Sequence, residues 1–263
     1  MSGAGSSPPA IPQRPPREWG DLAGSGPDQW YRLGQFSLTM IAIERRLRYL
    51  FGLCPLDVGV EGITPVEQHL QSVYLYEVAK QGQFAMNAVR QVNVALRSLA
   101  EPPDQFSMPT EFAQDEVFRG IHSFLTHSSN LSRLLWPPTP RDKSKEKAIG
   151  GRAKYLRDIL EIDDASLLKR RNLRDHLEHF DERMADWEAT STQRNFVQDM
   201  IGPPGSISGI DEGDRMRTFD PKSRIFTFRG ESFDLQELVT TVEEIAARAL
   251  VQWRKSLFPA DIP

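Results

Sequence analysis

The chain has one cysteine, Cys54, in 263 residues, so no intrachain disulfide can staple the fold. Cys54 stands in Phe51-Gly-Leu-Cys-Pro55, an apolar helix exit with no cationic neighbour to make it reactive. No apolar run approaches the ~20 residues that a membrane span needs. The first residues show no basic start followed by an apolar core, so no secretory signal is expected. These absences lead us to expect a soluble, cytoplasmic protein with no membrane partner. Glu-x-x-His occurs nowhere, which removes the signature of a di-metal helical bundle. The pair His176 and His179 lacks the spacing of a zinc-binding helix and has no cysteine partner. No glycine-rich phosphate loop follows a strand, leaving ATP and dinucleotide folds without support. No metal and no cofactor are therefore expected. A net charge of −4 and a pI near 5.8 argue against a surface that coats nucleic acid as a whole.

Hydrophobic residues make up 39% of the chain, sufficient for one substantial core. Charge is unevenly spread. From Arg141 to His176 there are eleven Lys/Arg against seven Asp/Glu, so this stretch is positive within an acidic chain. A phosphate-facing patch and an ordinary solvated face both read this way. Residues 1–27 contain six Pro and five Gly, a composition that buries too little surface to order itself, and read as a disordered tail.

From residue 28 onward, helical periodicity dominates. A first helix from Asp28 carries Leu33, Phe36, Met40, Ile43, Leu47 and Leu50 at spacings of three and four, and stops at Gly52 and Pro55. Thr64-Pro65-Val66-Glu67 is a capping box with proline at the first helical position. It opens a long helix to about Leu99 whose stripe includes Leu70, Tyr74, Val78, Ala85, Val89 and Val92. A third helix spans about Asp115 to Leu135, with Val117, Ile121, Phe124, Ser128, Leu131 and Leu135 inward. A fourth covers Ile149 to Leu160, and a fifth Asp164 to Ala189 with Leu173, Leu177, Phe180, Met184 and Trp187 on one face. Residues 190–213 read as a loop. The period then shortens: 215–219 and 224–228 form a β-hairpin, placed within 215–229. A last helix opens at Asp234 with Leu238, Val242, Ile245, Ala249 and Trp253 inward. The expected fold is mostly α, a bundle of about six helices over residues 28–258, with the hairpin inserted before the last helix.

The segment richest in chemistry is Arg171-Asn-Leu-Arg-Asp-His-Leu-Glu-His-Phe-Asp-Glu182. It holds two overlapping pairs, Arg171…His176 and Arg174…His179, each with an amide or acid directly after the arginine. Five helical residues put each His ~140° around the axis from its Arg. Asn172 and Asp175, four before His176 and His179, share a face with them. RNA cleaved through its own 2′-hydroxyl needs a base, an acid and a fixed positive charge. Histidine suits the first two roles and arginine the third. The plainer reading is a helix face of ion pairs worth ~0.3–0.5 kcal/mol each.

An Arg, a polar residue, three residues and a His within a helical bundle resembles the signature of the HEPN superfamily. The resemblance implies a helical domain that dimerises, bringing Arg and His of both chains into one cleft. It also implies metal-independent endoribonuclease activity on RNA, in a toxin or phage-defence setting, with a regulatory protein partner in some members. Other members are inactive binding modules. Two registers are open. Arg174 and His179 with Asp175 as orienter is favoured, since Leu177 and Phe180 flank the His; Arg171 and His176 with Asn172 is the second. On one helix Arg174 and His179 do not converge, so a homodimer supplying both groups is expected. The competitor is a non-catalytic helical homodimer that binds a protein or nucleotide. Convergence of Arg174 and His179 in an open basic cleft favours the nuclease. Isolated bridges to Glu178, Asp181 or Glu182 favour the module. His122 and His127 are read as structural.

Overall fold

Proline lacks the N–H that a first helical residue has no use for, and Pro65 opens the first helix described, α1 (Pro65–Ala100). The computed structural model describes residues 65–100, 110–170, 179–203 and 205–257, all within the unit Pro55–Pro263. The expected tail 1–27 and the helix from Asp28 lie outside these residues.

The core is a seam of three helices: α1, α2 (Thr110–Leu135) and the last helix, α5 (Leu235–Leu257). Within it, α1 packs chiefly against α2 and α5. Small residues make this close approach possible. Ala79, Gly82, Ala85, Ala88 and Ala95 of α1 are all buried. A Cβ at Gly82 would overlap the methyl of Ala246, and one at Gly120 would lie 2.6 Å from Val92 Cγ2. Both partners run antiparallel to α1. Ser256 Oγ donates to Ser72 Oγ at 3.1 Å while Gly82 meets Ala246, and His127 meets Gln81 while Gly120 meets Val92.

All six inward positions expected on α2 are buried, and so are Val242, Ile245, Ala249 and Trp253 of α5. Each large side chain taken out of water here contributes about 1.5–3 kcal/mol. Leu70 is a correction. It is exposed, because the seam of α1 follows Ser72, Leu75, Ala79 and Gly82 rather than its bulkiest residues.

Helix α3 (Glu146–Ile159) crosses the junction of α1 and α2. Arg152 Nη1 donates to Tyr74 Oη at 2.8 Å with its guanidinium over the ring, and Arg157 Nη1 donates to the Leu135 carbonyl. The continuous fifth helix expected from Asp164 to Ala189 is not what forms. Asp163 Oδ1 accepts from Ala165 N, and Asp164 Oδ1 accepts from Trp136 Nε1. Carboxylates committed to these contacts divert the chain into a 3₁₀ turn, Leu167–Lys169, and an extended Arg170. The next described helix is α4 (Phe180–Thr190).

The expected hairpin forms, but as half of a four-stranded sheet in the order β1 (Met200–Ile201), β2 (Thr218–Asp220), β3 (Ile225–Phe228), β4 (Glu231–Asp234). β1 runs parallel to β2, and the other pairs are antiparallel. Arg229 and Gly230, at φ 45° and 84°, make the two-residue turn into β4. Phe219, Phe226 and Phe233 are register partners on one face, with Thr218, Thr227 and Ser232 on the other. Part of the expected loop 190–213 is thus strand, since Met200 N and Gly202 N donate to the carbonyls of Arg217 and Phe219. No helix among the described residues is long and apolar enough to cross a membrane.

Candidate functional site

His179 is the one candidate site residue that falls within the described residues; Arg171, Asn172, Arg174, Asp175 and His176 lie outside them, so neither register is tested by geometry. Arg170, just before the segment, is extended, and His179 caps α4 rather than lying mid-helix. Its backbone (φ −107°, ψ 41°) is non-helical, while its carbonyl accepts the first helical bond from Arg183 N at 3.1 Å. Asp181 and Glu182 follow in the first turn, where carboxylates complement the helix dipole.

The imidazole is half exposed, and its Nδ1 lies 3.2 Å from Glu182 Oε1. When Nδ1 carries the proton it donates to that carboxylate, and the lone pair then lies on Nε2. An exposed pair of this kind adds little stability, about 0–1 kcal/mol.

Helix α4 itself buries no residue. Of its expected apolar face, Phe180 and Trp187 are half-buried and Met184 is exposed, because α4 rests on the small sheet and its loop and not on the helical seam. Phe180 meets Phe228 edge-on at 6.2 Å, and Trp187 meets Phe196 at 4.9 Å. Polar contacts do the rest. Trp187 Nε1 donates to both the Asn195 carbonyl and Asp214 Oδ1 at 3.0 Å, and Arg229 Nη1 donates to the Arg183 carbonyl at 2.9 Å.

Among the described residues, Arg183 of α4 and its neighbours Arg217 and Arg229 each face a carboxylate. Arg183 and Arg229 approach Asp186 Oδ2 at 3.1 and 3.7 Å. Arg217 sits over the Phe180 ring at 5.4 Å and bridges Asp199 Oδ2 at 2.8 Å. Burial raises the Asp199 carboxyl above its ordinary pKa, with Arg217 opposing that shift and Asp115 adding to it. Among the described residues, His179 therefore stands at the start of an acid-rich helix beside arginines that each face a carboxylate. Residues Asp199, Asp214 and Arg217, which help to hold this layer in place, were not singled out by sequence pattern. Their one signal is the alternation of Arg215, Arg217 and Phe219 approaching β2.

His127 fits its structural reading. Its Nδ1 lies 2.8 Å from Gln81 Oε1 and its ring packs on Phe84. Among the described residues, no group of three or more His, Cys, Asp or Glu could hold a metal ion. No family model matches the chain, and neither a curated protein nor a solved structure does.

Proposed function

We propose that this chain is a HEPN-type helical module that cleaves RNA without a metal ion, using Arg174 and His179 with Asp175 as orienter. The observation that carries the reading is the half-exposed imidazole of His179 at the start of α4, its Nδ1 3.2 Å from Glu182 Oε1. That is the posture of a general base or acid, a role that contributes about 10²- to 10⁴-fold to a rate. Arg174 would stabilise the phosphorane-like transition state, with a second copy of the chain completing the cleft.

A second reading, a non-catalytic homodimeric module, is favoured by a specific observation. The surface around His179 is acidic: Asp181, Glu182, Asp186 and Glu188 stand against Arg183 alone within α4. An isolated bridge to Glu182 is also what a plain contact surface shows. RNA phosphates would be repelled there unless the segment from Arg170 to Arg174 supplies the compensating charge.

Cleavage of unstructured RNA in EDTA separates the two. The nuclease reading expects wild-type cleavage that falls at least about 10²-fold in His179→Ala and in Arg174→Ala, with helicity and oligomeric state unchanged. Loss in His176→Ala instead assigns the other register, Arg171, Asn172 and His176. No cleavage by wild type at concentrations where it is dimeric decides for the module.

A further inference from the structure

Helix α3 carries two glycines that its packing does not require. Gly82 and Gly120 have a structural reason, since a Cβ there would strike Ala246 or Val92. At Gly150 and Gly151, side by side within α3, a Cβ would meet no described atom within 4 Å. Neither has a positive φ, so the backbone does not ask for glycine either. Both are exposed. After proline, glycine is the least favourable residue for a helix interior. The pair thus weakens α3 and leaves a stretch of its backbone uncovered.

Cations flank the uncovered stretch. Helix α3 buries Ala153 and Leu156 on its inner face. At 100° per residue, Lys147, Gly150, Gly151 and Lys154 share an outer arc of about 100°, with the glycines between the lysines. Just before α3, Asp142 caps a 3₁₀ turn, Lys143–Lys145, whose residues are all exposed. Among the described residues no ion pair engages Arg141, Lys143 or Lys147, whereas Lys145 lies 3.8 Å from Asp142 and Lys154 pairs with Asp158. The Lys154–Asp158 pair is exposed on both sides, and such a pair is readily exchanged for another anion. Glu146, an exposed acid here, stands about 100° round the helix from Lys147 and off this lane.

We infer that this lane holds single-stranded RNA, the strand lying across Gly150 and Gly151 with Lys143 and Lys147 on one side and Lys154 on the other. The choice of RNA rests on the nuclease reading above. The lane would supply the attraction that the acidic face of α4 lacks. Without Cβ atoms in the middle, the phosphate backbone approaches the helix closely while flexible lysines reach its oxygens from either end. Contacts of this kind position a strand and carry no sequence information, so binding is tolerant of sequence and sensitive to salt.

Fluorescence anisotropy of the full chain with labelled 2′-O-methyl oligouridylate tests this. That analogue keeps every phosphate and has no free 2′-hydroxyl through which to be cleaved. The expected result is saturable binding whose affinity falls with salt on a log–log plot. Lys143→Gln/Lys147→Gln should weaken it about tenfold or more and reduce the salt slope by about 1.4, ~0.7 for each cation on a single strand. Gly150→Leu/Gly151→Leu should raise the thermal midpoint, since leucine is the better helix former, and yet weaken binding about tenfold by holding the strand off the helix. Stability and affinity moving in opposite directions is what a merely structural role does not give. Absence of binding to wild type overturns the inference. So does affinity unchanged in either double variant, or polyglutamate competing as well as unlabelled oligouridylate, which would make the lane a protein-docking surface. Lysine-dependent binding without any cleavage of ordinary RNA upholds the lane and strikes the nuclease reading. Cleavage with binding unchanged in the lysine variant strikes the lane alone.

Discussion

The helical seam and the layer around α4 are held together by different physics. In the seam, Val78, Ala85, Phe124, Leu131, Val242 and Ala249 are fully or almost fully buried, and contact is between apolar surfaces. In the layer, α4 buries no residue and is fastened by directional bonds, Trp187 to Asp214 and Asn195 and Arg229 to the Arg183 carbonyl. Apolar burial is non-directional and sums over many residues, whereas a few polar ties can be released one at a time. His179, the described end of the Arg/His segment, belongs to the layer. His179 thus stands where local opening is cheap.

Truncating one phenylalanine in each region should expose this difference most sharply. Phe124→Ala in the seam is expected to cost about 3–5 kcal/mol, the usual range for emptying a packed core site. Phe180→Ala removes a half-buried ring that meets Phe228 and Arg217, and should cost only about 1–2 kcal/mol. Urea midpoints at unchanged m-values give both numbers. Equal costs would break the comparison, because α4 would then be part of the core.

The same division governs what could be read in the sequence. Val117, Ile121, Phe124, Leu131 and Leu135 recur at helical spacing, and all are buried, since a helix packed on one side leaves its period in the chain. The long helix starts at Pro65 as its proline requires. Leu70 misled because α1 packs through alanines and Gly82, whose value lies in their smallness. The helix drawn through Asp164 failed because its carboxylate is recruited by Trp136, Arg157 and Lys169, partners distant or unweighted in a local pattern. β4 left a fair signal, Phe-Arg-Gly-Glu between alternating residues, whereas β1 did not: two residues paired in parallel to β2 carry no period. Of the candidate site only His179 can be placed, and its position at a helix start was not legible, because Phe180, Met184 and Trp187 continue a helical period across it.

A smaller and more local effect should follow from Trp187→Phe. The ring is kept, but its N–H no longer reaches Asp214 Oδ1 or the Asn195 carbonyl. Asp214 is 2% exposed, and its other oxygen already lacks a partner, so removing this donor should cost about 1–3 kcal/mol. Hydrogen exchange sharpens the point. Amides of α4 and of Asp214–Met216 should lose protection while those of α1 and α2 at the seam change only as global stability does. Uniform loss across all of them would mean that layer and seam open as one unit.

The smallest expected effect concerns pH and lies within the helical seam. His127 bridges α2 to α1 through Gln81, whose own Nε2 donates to Glu77, and burial holds its pKa below that of an ordinary histidine. On acidification the unfolded chain therefore takes up this proton before the folded one does. The contribution is intact above the unfolded histidine pKa, ~6.5, and is lost as pH falls from there toward the lower folded value. His127→Gln should flatten the decline in urea midpoint over that window while leaving the midpoint near neutral pH little changed. The layer offers the opposite sign: Asp199, with its pKa raised by burial, favours the folded state as pH falls through that raised value. A decline that persists undiminished in His127→Gln would remove histidine burial as its cause, and with it the claim that the seam is the acid-sensitive half of the molecule in this window.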